Sequence, residues 1–123
     1  MDNQTYRKQL IHRAYKYGLA IIKFIDTLDK TDFSSQVLAK QLIRSATSVG
    51  ANIVEAQAAS SKKDFTLFLT HALKSANESK FWLGLLRDSG KADKDIVSSL
   101  LEETNELARI LGSSVMNLKG KKL

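Results

Sequence analysis

Two polar runs in this chain have the spacing of side chains that work together. Arg44, Ser48, Asn52 and Glu55 recur at steps of four, four and three, and His71, Ser75 and Glu78 at steps of four and three. Such steps put each set along one side of a helix. If the turn between the two helices centres near Ser61 and Lys62, antiparallel pairing aligns residues whose numbers sum to about 123. Arg44 then meets Glu78, Ser48 meets Ser75, and Asn52 meets His71. The set fits either a polar pocket or a buried hydrogen-bonded ladder that fixes helix register. The ladder is the favoured reading, because a buried guanidinium without its carboxylate is costly.

Other chemistry is missing. A carboxylate di-metal bundle needs inward Glu residues and Glu-x-x-His pairs, and the sequence has none. The two histidines, His12 and His71, fall on different helices without zinc-ligand spacing, and His12 belongs to a solvated basic strip. No Gly-rich phosphate loop or nucleophile elbow is present. With no cysteine, disulfides and thiolate sites are excluded and a reducing, cytoplasmic setting is expected. Neither a signal-peptide core nor a membrane span is expected from the apolar runs. The expectation is a non-enzymatic protein with no cofactor, no metal and no membrane association.

The elements that must position these residues are helices. The 123-residue length suits one domain, here 1–118 followed by a basic tail, 119–123. There is no proline and only six glycines, so the turn punctuation of an all-β protein is lacking. Leu10, Ala14, Tyr17, Ile21, Phe24 and Leu28 form a heptad stripe on a first helix running from about Thr5 to Leu28. Beside it, Ile11, Gly18, Ile22 and Ile25 form a second apolar strip, wide enough to imply subunit contacts as well as an internal core. Asp32 or Ser34 caps a second helix. Its stretch Gln41 to Ser61 carries charge only at Arg44 and Glu55, so it must be covered by its own chain, by another, or by both. Gly50 within it suggests close packing or a local bend. Ser60 or Ser61 caps a third helix ending near Gly90, which suits a left-handed C-cap, and Val97 to Leu118 make the fourth. Short turns between four long helices predict an all-α, up-down-up-down antiparallel four-helix bundle.

That topology sorts the charges. The net charge is +6, which makes an anionic partner a natural candidate. One end collects Arg7, Lys8, Arg13, Lys62, Lys63, Lys119, Lys121 and Lys122 against Asp2 and Asp64, with Lys16 further along the first helix. The other end has four cations against six aspartates. Phosphate contact at the basic end is the functional expectation, in a form that tolerates any sequence.

Several of these residues also carry a family resemblance. Arg44 to Glu55, then Ser61-Lys62-Lys63-Asp64-Phe65, Phe68-Leu69, Ala72 to Glu78 and Glu106 to Val115 resemble the four-helix-bundle proteins encoded in intervening sequences of bacterial 23S ribosomal RNA genes. The chain is similar as well to the accessory variability determinant of diversity-generating retroelements. It departs from the pattern at Gly50, where the family often has proline, and at Ala56, where it often has glycine. The resemblance implies a homo-oligomer, specifically a homopentamer, with a basic surface that binds RNA or DNA. A protein-interaction scaffold docking a nucleoprotein partner such as a reverse transcriptase is the alternative.

Overall fold

The computed structural model describes residues 3–120, which form four α-helices: α1 (Asn3–Ile25), α2 (Phe33–Gln57), α3 (Lys62–Asp88) and α4 (Lys94–Leu118). Capping side chains start three of them. The Asp32 carboxylate accepts the Ser35 backbone N–H (3.0 Å) and hydroxyl (2.7 Å), so Asp32 rather than Ser34 opens α2. Ser61 accepts the Asp64 N–H at 3.1 Å and Asp93 accepts the Ile96 N–H at 3.0 Å. Each cap satisfies a donor that the first helical turn leaves unpaired. At the end of α3, Gly90 has φ +73° and the Lys91 N–H reaches back to the Leu86 carbonyl at 3.1 Å, a Schellman closure.

The first helix starts and stops earlier than its apolar stripe suggests. Helical geometry ends at Ile25, and the N–H groups of Thr27 and Leu28 turn to the carbonyls of Phe24 and Ile25, both at 3.0 Å. Leu28 nevertheless stays buried, so the turn itself delivers the last core residue.

Side-chain pairs fix the topology. Ser45 meets Ser79 and Ser48 meets Ser75, so α2 and α3 are antiparallel. Arg13 meets Glu103, while Tyr6 and Leu10, nearer the start of α1, share a hollow with Ile110, nearer the end of α4, so α1 and α4 are antiparallel too. Lys91 pairs with Asp32 at 2.9 Å, which brings the first and third turns to one end. The contact between α2 and α3 is the most extensive in the bundle, and that between α1 and α4 the slightest.

Ile21, Leu42, Ile53, Leu83, Leu86, Leu107 and Leu111 form the fully buried centre. Burying side chains of this size supplies the main driving force, on the order of 2 kcal/mol each. Apart from Ser35 at the start of α2, one buried hydroxyl from each helix lies within this apolar core: Tyr17, Ser45, Ser79 and Thr104. Ser45 and Ser79 share a 2.8 Å hydrogen bond, Tyr17 and Thr104 one of 2.7 Å. Among the described residues no buried side-chain polar atom is left without a partner. Burial pushes the Tyr17 phenol pKa up, against the opposing pull of its hydrogen bonds.

The chain's own helices do not cover α2 on every side. Thr47, Ala51 and Val54 are exposed and, with Gly50, border an apolar groove of about 310 Å³ shared with Tyr15, Leu19 and Ile22 of α1. Gly50 does not permit an unusually close approach. A Cβ there would lie 3.5 Å from that of Ala14, an ordinary van der Waals contact. Among the described residues no helix is long and apolar enough to cross a membrane.

Candidate nucleic-acid interface

The two polar runs do come together across α2 and α3, but as a seam rather than a closed ladder. Ser75 Oγ donates to Ser48 Oγ at 3.1 Å. Arg44 Nη2 lies 3.6 Å from Glu78 Oε2, but the arginine side chain is 73% exposed, so this is a surface pair and not a buried one. Glu78 also accepts the Trp82 indole N–H at 2.9 Å. Asn52 does not pair with His71. Its carboxamide donates to the Ser48 carbonyl and hydroxyl, both at 2.9 Å, while His71 is exposed. A bond one turn away within the same helix competes well against a cross-helix partner. Glu55 is exposed on the outer side of α2. Among the described residues no group of His, Cys, Asp and Glu has the clustering needed for a metal.

The basic end is assembled from three chain segments. Arg7 and Lys8 come from the first turns of α1, Lys62 and Lys63 from the start of α3, and Lys119 follows α4 as its C-cap. All five are exposed. Three adjoining depressions link them. The first, about 560 Å³, is bordered by Lys62, Lys63, Lys119, Thr66 and Thr70. It shares Lys62 and Leu118 with a second of about 340 Å³, which also holds Arg7, Phe65, Gln57, Ser60 and Ser61. That one shares Arg7 and Gln57 with a third of about 510 Å³, where Lys8 lies. The Arg7 guanidinium sits over the Phe65 ring, 5.0 Å from its centroid. Of the two aspartates expected at this end, Asp64 is engaged by the Ser60 hydroxyl at 2.9 Å, and Asp2 lies outside the described residues.

Two residues expected in the cluster lie elsewhere. Arg13 is drawn into a bidentate pair with Glu103 of α4, at 2.8 and 2.7 Å, and the Glu103 hydrogen bond raises its pKa further. A guanidinium held that way is not free for phosphate. Lys16 is exposed but stands nine residues beyond Arg7, roughly 13 Å along the axis. Lys121 and Lys122 lie outside the described residues. The Arg7–Phe65 stack, the Arg13–Glu103 pair and the hydroxyl layer are features the sequence reading missed. Register arithmetic on Tyr17, Ser45, Ser79 and Thr104 would have flagged the layer, since all four are polar positions in apolar stripes.

Known proteins place this geometry in context. No curated protein matches the chain. Among solved structures, it is similar to a protein of unknown function from the S23 ribosomal protein family of Bacteroides thetaiotaomicron VPI-5482. Identity is 32%, the match covers 86% of this chain and 97% of that one, and the TM-score is 0.80. The sequence model of the 23S rRNA-intervening sequence proteins matches residues 7–113, from Arg7 through the α2–α3 seam and into the last turns of α4. The chain therefore belongs to the 23S rRNA-intervening sequence protein family.

Proposed function

We propose that this protein is a non-enzymatic, homo-oligomeric nucleic-acid-binding protein that grips phosphate backbones with the basic end of its bundle. The observation that carries the reading is the convergence of Arg7, Lys8, Lys62, Lys63 and Lys119 around three adjoining depressions. Cations held on separate helices at one end can neutralise successive phosphates, and that contribution needs no base sequence. The test is an anisotropy titration of labelled RNA and DNA over a range of salt. Five cations engaged on one single strand give a log–log slope of roughly −3.5. Absence of binding even at low salt refutes the reading.

Oligomerisation is supported by the apolar groove between α1 and α2, where Tyr15, Leu19, Ile22 and Val54 are exposed around small residues. An uncovered apolar strip of this kind marks an association surface. The family resemblance implies five subunits, which would repeat the basic end in each of them. Sedimentation tests this: Leu19→Glu is expected to yield monomers of unchanged helicity. Equal sedimentation of variant and parent refutes an assembly through the groove.

A second reading, a scaffold that docks a nucleoprotein partner such as a reverse transcriptase, draws support from the opposite end. There Phe33, Val37, Phe81 and Leu85 leave apolar side chains exposed on α2 and α3. Protein that purifies free of nucleic acid, and pulls down a partner only while Phe33 and Phe81 are intact, would favour it.

A further inference from the structure

We infer that the basic end takes single-stranded nucleic acid, with an unpaired base stacked on the outer face of the Arg7 guanidinium. This rests on the phosphate-binding reading above and names its substrate class. One face of the guanidinium is backed by the Phe65 ring at 5.0 Å. Arg7 is exposed, so a ligand can approach the guanidinium from the side away from Phe65. A guanidinium is planar, delocalised and weakly hydrated, and such planes accept nucleobases as readily as aromatic rings do. Phe65 restricts the swing of the arginine, so less side-chain entropy is lost when a base arrives.

The surroundings fit a strand better than a duplex. Arg7 and Gln57 stand on the border between two depressions, of about 340 and 510 Å³. Lys62 lies in one and Lys8 in the other, so cations flank the stack on both sides. A flexible backbone can run through the two hollows with its phosphates at the lysines and a base turned onto Arg7. In a duplex the base faces are already stacked on each other, and this platform has nothing to receive. Platforms of this kind, set in a cationic track, bind single strands with little sequence preference.

The experiment compares three ligands of equal phosphate number at one salt concentration: oligothymidylate, an abasic strand and a duplex. The full chain is expected to bind oligothymidylate about tenfold tighter than the abasic strand, the scale of one stacked base. Arg7→Lys keeps the charge but removes the plane. It should bring that ratio down to roughly one while leaving the salt slope unchanged. Phe65→Leu should reduce the ratio in part, with circular dichroism confirming the fold. Lys63→Ala should weaken both strands alike and flatten the salt slope by about 0.7. Equal, salt-sensitive binding of all three ligands would overturn the stacking inference and leave phosphate binding standing. An Arg7→Lys variant that keeps the preference would also overturn it. Absence of binding to every ligand would overturn both.

Discussion

Between α2 and α3 the chain relies on small side chains: Ser45, Ala46, Ala72, Ala76 and Ser79 are all buried, and Ser45 and Ser79 touch directly at 2.8 Å. Between α1 and α4 long side chains span the gap, with Tyr17 reaching Thr104 at 2.7 Å and Arg13 reaching Glu103 at 2.7 Å. The first seam gains from many weak contacts over a large surface, the second from a few directed ones. A seam of the first kind resists overfilling and tolerates the loss of one polar group. A seam of the second kind depends on each spanning residue. The helix held in the second way, α1, is also the one that presents Arg7, Lys8 and one wall of the apolar groove. The candidate functional surfaces thus draw on the helix with the fewest ties to the rest of the bundle.

The largest test of this contrast is Tyr17→Ala. Tyr17 is 2% exposed, and removing a fully buried ring costs about 3 to 5 kcal/mol by urea unfolding. Tyr17→Phe should cost only about 1 kcal/mol, because it removes the hydroxyl with its hydrogen bonding and keeps the ring. Similar losses for the two variants would show that the ring does not span the seam. The phenol adds a pH signature. Its pKa is raised by burial, so the unfolded chain ionises first, near pH 10, and stability falls as pH rises beyond that. The Phe variant should lose this alkaline decline.

Next in size is overfilling the close seam. Ala72 is fully buried on α3, and Ala72→Leu should cost about 1 to 3 kcal/mol through displaced neighbours. A neutral result would mean that α2 and α3 have slack between them. Smaller effects come from the two cross-helix ion pairs. Arg13 and Glu103, bidentate and partly covered, should show a coupling of about 1 kcal/mol in a double-mutant cycle. Arg44 and Glu78, at 3.6 Å on an open surface, should couple by less than about 0.5 kcal/mol. The reverse order would remove the distinction between the two seams.

Much of the bundle is legible in the sequence because local rules act alone there. The stripe from Leu10 to Leu28 is buried throughout, and Asp32, Ser61 and Gly90 do what their residue types favour at helix ends. The α2–α3 register follows from one short turn, so Ser48–Ser75 and Arg44–Glu78 fall where simple arithmetic puts them. Arithmetic cannot say that Arg44 sits at the edge of the seam, nor that Asn52 turns back on Ser48. Those outcomes depend on how far each position rotates from the partner helix and on competition from the nearby backbone. Arg13–Glu103 joins residues 90 apart in sequence, across a seam that no single turn sets. The charge pattern therefore assigned Arg13 to the basic end, and only the packing of α1 on α4 shows it engaged.

The smallest expected effect is at the far end of the molecule, where the contrast can be tested without touching either seam. Asp32 both caps α2 and pairs with Lys91 at 2.9 Å, joining the α1–α2 turn to the α3–α4 turn. The Lys91 hydrogen bond, with help from Ser35, lowers the Asp32 pKa to about 2. In the unfolded chain the value is near 3.9. A depressed carboxylate stabilises the fold above its unfolded pKa, and that stabilisation is lost as pH falls from about 4 to about 2. Asn caps helices about as well as Asp, so Asp32→Asn removes the charge and keeps the cap. The difference between the urea midpoints of parent and variant should be constant above about pH 5 and shrink steadily below about pH 4. Other carboxylates titrate in the same range but cancel in the difference. Parallel curves down to about pH 2 would mean that the Lys91 pair contributes nothing.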